Sequence, residues 1–417
     1  MNIAIKITTV VFILLILGIS IIFSVEQKKP DISKKPIAEN PSFPSGAVEI
    51  GLIFPITGDL SNHGKLNIKA SKQAVKDFNE YLMKQGHTWH LKYKAHDSAT
   101  NPEIAYDKLN KLNADGVKIV VGPETSANVA HVMDYAEMNN MLLISCCSSA
   151  SSLAFNDHVF RLVPDDTNQG KVLATLLHDQ DIEIIIPVWR NDAWGNGLKE
   201  ELVNSFKGNS DDGIRYEPNT TIFSLSALKL SDKIKDYTKN NSSNIAVVYI
   251  GFGEIKNFID SVSSYDIFTE TDVRWFGTDG VSGDTDLVTS DTGRFLTDVS
   301  FTTLQFAVTE NPTFERVQKI LNNDSGIISN FMYSSYDAVW LIGLSMIETD
   351  STDVSSIKSS IHNVAKNYEN ATIGPIELNK AGDLQKADYE ILGIRNSEWV
   401  SLGKYTQEDK TKKWKLK

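Results

Sequence analysis

Two stretches place hydroxyls directly behind apolar runs: KIVVGPETSAN carries Thr125 and Ser126, and MLLISCCSSAS carries Ser148 and Ser149 beside Cys147. If each run is a strand and the next residues open a helix, hydroxyls and free backbone N–H groups face one point, which suits a carboxylate. A third stretch, WFGTDGV, ends on Asp279, a carboxylate able to accept a charge-assisted bond from a ligand cation. The plain alternatives are an N-cap for each serine and a turn aspartate before glycine. Phe252 follows IAVVYIG and Trp194 sits in AWGNGL. Their rings could supply apolar area and cation–π attraction to a ligand, or simply pack the core. His63, in LSNHG, adds a titratable polar edge.

No catalytic arrangement accompanies these residues. The turn after the first strand reads PITGDLSNHG rather than G-x-G-x-x-G, neither G-x-S-x-G nor H-E-x-x-H occurs, and the eight histidines are scattered. We therefore expect no enzyme, no cofactor and no metal. The only cysteines, Cys146 and Cys147, are adjacent and cannot staple distant segments. A vicinal disulfide, a metal-binding thiolate pair and a redox switch stay open, with two small buried thiols the favoured reading. A formal charge of −12 over 417 residues excludes nucleic acid as the expected partner, since phosphate binding needs a surplus of Lys and Arg.

The elements that would position these loops follow a strand–helix rhythm. Strands are expected at 48–55, 91–95, 118–122 and 141–145, with amphipathic helices between them, one opened by Asn101 and Pro102. After RLVPDDTNQG the rhythm restarts, with helices near 170–178 and 195–207 and strands at 182–188, 245–251 and 273–277. Helices over 331–348 and 354–364 should return to the first lobe. The segments 374–379 and 387–405 alternate as strands, with Asn396 and Ser397 at a turn. The pattern implies an α/β chain of two doubly wound, Rossmann-like lobes joined by a multi-strand hinge. Lobe 1 is expected to comprise 48–165 and 306–373, and lobe 2 166–305 and 374–405, followed by a solvated basic tail at 406–417.

Ahead of the lobes, residues 7–25 form a low-charge apolar run whose length approaches the roughly 20 residues of a membrane span. No A-x-A site follows it, which favours a retained anchor over a cleaved signal and secreted form. No Cys precedes Cys146, so a lipoprotein form is excluded. Residues 26–47 carry four Pro and four Lys and read as a disordered tether. The sequons at Asn219, Asn240, Asn241, Asn323 and Asn370 are compatible with export, although such triplets recur by chance in an Asn- and Ser-rich chain. The expected location is the extracytoplasmic face of the cell membrane.

The ordered series IGLIFPITGDLSNHG, HDSATNP, VGPETSAN, ISCCSSAS, RLVPDDTNQG, AWGNGL, YIGFGE, WFGTDGV, YDAVWLIGLSMIE and GPIELNKAGDL resembles the leucine/isoleucine/valine-binding protein family. These are the type I periplasmic solute-binding proteins of branched-chain amino-acid ABC importers, and the likeness runs over about 48–405. It implies capture of an amino-acid or amide ligand by hinge closure, with ABC permease subunits as partners and the membrane reached through the N-terminal helix. The resemblance places the ligand carboxylate on Ser126 and Ser149, with Thr125, Ser148 and Cys147 in the same loops. It places the α-amino group on Asp279 and an aromatic contact on Phe252, while Trp194 lies in another loop expected to approach the cleft. His63 stands where the family commonly carries an aromatic residue, which puts side-chain specificity in question. The family's first-lobe disulfide has no counterpart, since Ala99 and Thr125 occupy that neighbourhood. A membrane-tethered sensory module signalling through a partner is the alternative role. No output domain accompanies the pocket, which favours transport.

Overall fold

The computed structural model describes residues 45–239, 244–322, 328–386, 388–407 and 411–414. Two sheets organise them. The first holds β1 (Gly46–Phe54), β2 (Trp89–Asp97), β3 (Ile119–Val121), β4 (Leu142–Ser145) and β5 (Val159–Arg161), all parallel, in the order β2-β1-β3-β4-β5. β3 and β4 are buried along their whole length, as expected of central strands covered on both faces. The covering helices have legible starts. Asn101 caps Pro102–Ala114 by accepting from the N–H groups of Glu103 and Ile104, and Thr125 caps Ser126–Met138 by accepting from Asn128.

The second sheet is built on parallel strands β6 (Ile184–Arg190), β9 (Ile245–Ile250), β10 (Arg274–Phe276) and β11 (Thr302–Phe306). The short strands β7 (Asn209–Ser210) and β8 (Ile214–Tyr216) both pair with β6. β12 (Tyr389–Arg395), β13 (Glu398–Thr406) and β14 (Thr411–Trp414) add an antiparallel edge beyond β11. Asn396 and Ser397 make the β12–β13 turn with φ of 52° and 59°, the left-handed conformation such two-residue hairpins need.

After β11 the chain returns to the first sheet. Phe331–Thr349 packs along Ser61–Gln85, where the Trp340 and Phe78 rings meet edge to face at 5.1 Å. Gly343 lies against Phe78 so closely that a Cβ would come within 2.2 Å of the ring. Arg316 and Tyr336 both donate to Asp77, at 2.8 and 2.7 Å.

Several expectations need correction. β1 begins at Gly46, inside the segment read as tether. GPIELN forms no strand beyond a single bridge between Leu378 and Leu384, and Asp383 bridges Arg161 at the edge of the first sheet. That stretch therefore belongs beside the first lobe rather than the second. The cause is a buried ion pair: Arg161 donates from Nε to Asp383 Oδ1 at 2.5 Å and from Nη2 to Oδ2 at 2.7 Å. Such a pair is tolerated in the interior when its geometry is complete. The end of the chain is not simply a solvated tail, because Thr411–Trp414 pairs with β13. The helix Pro312–Asn322 went unread. Among the described residues no helix is long and apolar enough to cross a membrane. The anchor at 7–25, the tether up to 44 and the sequons at Asn240, Asn241 and Asn323 lie outside the described residues.

Candidate functional site

Six chain segments, each following a strand's carboxyl end, converge on one narrow pocket. The segment after β1 brings Leu60 and, from the first turn of the helix Ser61–Gln85, His63; that after β3 brings Glu124, Thr125 and Ser126 at the start of the helix it opens; and that after β4 brings Cys147 and Ser149. From the second sheet come Trp194 after β6, Phe252 after β9, and Asp279 with Gly280 after β10. Phe331, at the start of a returning helix, closes the wall. This is where ligands lodge in open parallel sheets. Every residue singled out from the sequence lines the cavity except Ser148, which sits one layer behind.

The first-lobe hydroxyls are held by their own neighbours. Ser126 Oγ accepts from Ser148 Oγ at 3.1 Å and from the Ala150 N–H at 3.2 Å, leaving its own O–H free to donate. Thr125 Oγ1 is occupied as a cap, accepting from the Asn128 N–H. Arg161 Nη1 donates to the carbonyls of Ala150 at 2.7 Å and Ser148 at 3.4 Å, so the buried Arg161–Asp383 pair also fixes the loop that carries Ser149.

On the second-lobe side, Phe252 stacks on Trp194 with centroids 4.7 Å apart and planes 18° from parallel. Gly280 passes beneath them, where a Cβ would lie 2.7 Å from Trp194 and 2.9 Å from Phe252, so only glycine fits. The Arg190 guanidinium lies 4.6 Å over the Phe252 ring, within cation–π range. It donates to Glu254 at 2.7 Å, Asp192 at 2.6 Å and Asp59 at 3.1 Å. Asp59 belongs to the loop after β1, so this bond crosses the cleft. The Gly253 N–H to Asp59 carbonyl bond at 3.1 Å and the Asn62 to Asp284 bond at 2.8 Å cross it as well. These contacts hold the two lobes closed.

Three buried carboxyl groups surround the cavity. Burial pushes Asp279 up to about 7, only partly offset by the Gln169 side chain and the Gly280 N–H. Burial, followed by the Asp279 charge, raises Asp166 well above the usual carboxylate range. Burial pushes Glu124 up to about 8 against the pull of the Asn67 amide, and neither Glu124 oxygen makes a well-formed hydrogen bond. His63 is driven the other way, its pKa lowered by burial against the Asp284 charge, and its ring nitrogens also lack well-formed partners. No Lys or Arg lines the cavity.

Glu124 escaped the sequence reading although it adjoins Thr125. The usable signal was its place two residues past Gly122, at the end of a wholly apolar strand, where a side chain enters the interior rather than solvent. The favoured reading of the cysteines also needs correction: Cys146 and Cys147 form a vicinal disulfide rather than two free thiols. Cys147 Sγ accepts from Asn67 at 3.5 Å. Glu124, Cys146 and Cys147 form the one group among the described residues whose atoms lie close enough to share a metal. With the sulfurs bonded to each other, neither is available as a thiolate ligand.

A closed cavity between two doubly wound lobes, with a polar group contributed from each side, is the architecture of the type I periplasmic binding proteins. Residues 68–397 match the family described as the receptor family ligand binding region, and the chain belongs to that family, among the branched-chain amino-acid binding proteins. An uncharacterized protein of Methanocaldococcus jannaschii is 22% identical over 88% of this chain and 92% of its own. Leu/Ile/Val-binding protein homolog 3 of Brucella melitensis is 25% identical over 85% and 93%. The crystal structure of a leucine binding protein, LivK, from Thermotoga maritima superposes with a TM-score of 0.74 at 16% identity, covering 87% of this chain and 99% of that one.

Glu124 also gives the ligand-free protein a pH signature. Its ordinary value is 4.5 and its folded value about 8, so the folded state holds a proton that the unfolded state releases first. That contribution is complete below about 4.5 and lost as pH rises to about 8. Denaturation midpoints taken between pH 5 and 8 should fall as pH rises, and Glu124→Gln should flatten the slope. An unchanged slope in the variant would mean Glu124 does not carry it.

Proposed function

We propose that this chain is the extracytoplasmic solute-binding protein of an ABC importer. It captures a branched-chain amino acid or a similar small amino-acid or amide ligand by hinge closure. The observation that carries the reading is the cavity itself, with the Ser126 O–H free to donate on one wall, Ser149 beside it engaged with Asp166, and Asp279 on the opposite wall. The α-carboxylate would accept from Ser126 and Ser149 in the first lobe, and the α-ammonium would donate to Asp279 in the second. Trp194 and Phe252 would cover the ligand. The ligand then touches both lobes only when they are closed, and that differential affinity shifts the hinge population. A permease would read the closed shape. The names of the Brucella and Thermotoga relatives support this role, and those relatives are named as binding proteins rather than enzymes.

Residues 7–25 would tether the protein to the membrane's outer face. Mass spectrometry of protein taken from native membranes should recover peptides from this segment; a mature start near residue 26 would refute the tether.

Asp279→Asn keeps the shape but removes the counter-charge, and truncating one member of such a buried pair costs about 2–5 kcal/mol. At about 1.4 kcal/mol per decade, affinity for the tightest ligand in an amino-acid and amide library should fall at least about thirtyfold. Asp59 lies in the loop after β1, and its bond to Arg190 spans the closed cleft. Asp59→Asn should therefore also weaken binding, by a smaller factor. Calorimetry showing unchanged affinity in Asp279→Asn would leave that residue a turn aspartate and remove the case for an α-amino ligand.

A further inference from the structure

We propose that His63, Asn67 and Glu124 form a polar subsite that selects a ligand carrying a second N–H-bearing group, an amide, ammonium or guanidinium, over one with a branched aliphatic side chain. The inference depends on the amino-acid reading above and extends it to the other end of the ligand. His63 and Asn67 stand four residues apart on one face of Ser61–Gln85, and Glu124 meets them from the end of β3. All three are fully or almost fully buried, Glu124 at 0%, Asn67 at 1% and His63 at 2% exposure. Apart from the pull of the Asn67 amide on Glu124 and of the Ser282 backbone on His63, no well-formed hydrogen bond reaches either oxygen of Glu124, Oδ1 of Asn67 or either ring nitrogen of His63.

Buried polar atoms in native proteins are nearly always bonded, so His63 and Glu124, which line the cavity without well-formed hydrogen bonds and have Asn67 behind them, point to a partner that arrives with the ligand. That partner must be chiefly a donor. Carboxylate and amide oxygens accept, and the unprotonated nitrogen of a neutral imidazole accepts as well. A carboxylate is the wrong occupant, because it could use only the single proton that a neutral Glu124 carries and would leave Asn67 Oδ1 and the acceptor nitrogen of His63 unanswered. The ligand's acid group is thereby directed to Ser126 and Ser149, and its other end faces Glu124. With the α-ammonium matched to Asp279, Glu124 is a surplus carboxyl with no cationic side chain lining the cavity. An alkyl group here would bury it unpaired. Sites built to hydrogen-bond a ligand group reject analogues that lack it far more strongly than apolar pockets reject a missing methylene.

The test is calorimetry of the full-length chain and its Glu124→Leu and Glu124→Gln variants against asparagine, glutamine, ornithine, lysine, arginine, leucine, isoleucine and valine. In the parent, one of the first five should bind at least about tenfold tighter than any of the last three. Glu124→Leu should lower affinity for that ligand at least about tenfold without weakening leucine. Glu124→Leu exchanges an unpaired buried acid for an apolar side chain of similar size, so a thermal melt should show it folded. Glu124→Gln separates the ligand chemistries: it should spare an amide and penalise a cation. Tightest binding of leucine, isoleucine or valine by the parent would overturn the subsite and leave the amino-acid reading standing. An equal loss for all ligands in Glu124→Leu would also overturn it. If the parent binds none of the eight amino acids, both fail.

Discussion

Removing a carboxylate from water costs several kcal/mol unless a cation or a set of donors replaces the lost solvent. The closed cleft does this repeatedly, at Asp59, Asp192 and Glu254 around Arg190, and at Glu124, Asp166 and Asp279 around the cavity. The first group is compensated within the protein. One guanidinium serves three carboxylates and lies over Phe252, so the aromatic wall of the cavity and the lock between the lobes share one buried charge. Beside the second group no Lys or Arg lines the cavity, and Arg161 acts only on Asp166. Burial holds this group's protons on above the usual range, and under the proposed reading a cationic or N–H-rich solute would supply the missing partner.

This division explains how binding can be tied to closure. Asp279 and the Trp194–Phe252 pair come from the second sheet, and Ser126, Ser149 and Glu124 from the first. A ligand bonded to both sides stabilises only the arrangement in which they face each other. The Asp59–Arg190 bond adds a ligand-independent bias toward that arrangement. The competing term is hydration of the separated lobes, in which the same carboxyl groups regain water.

Much of this was legible in the sequence because local rules and the global fold agree. Short apolar runs such as IVV and MLLI, bounded by turn residues and spaced between helical patterns, read as central parallel strands. Asn101-Pro102 and Thr125 announce helix starts, and Asn396-Ser397 announces a hairpin. Since binding in a doubly wound lobe occurs at strand carboxyl ends, the residues after those runs were identifiable as cavity walls. What escaped depends on distant contacts. Asp59 and Arg190 are 131 positions apart, and only the packing of two lobes makes one answer the other. GPIELN has strand composition, yet the Arg161–Asp383 pair, 222 positions apart, draws the following residues to the first sheet. Glu124 follows a wholly apolar strand, but that its carboxyl faces His63 and Phe331 across the cavity depends on helices distant in sequence. The bond between Cys146 and Cys147 is a matter of oxidation state, which sequence does not encode.

The central claim is that a solute with an α-amino and an α-carboxylate group bridges the two walls. A crystal structure of the protein with the tightest ligand from such a library bears on it most directly. The account predicts the α-ammonium nitrogen within hydrogen-bond reach of Asp279, about 2.7–3.2 Å, with the carboxylate accepting from Ser126 and Ser149. A ligand bound elsewhere on the protein, or seated in the cavity with its carboxylate toward Asp279 and Glu124, would contradict it.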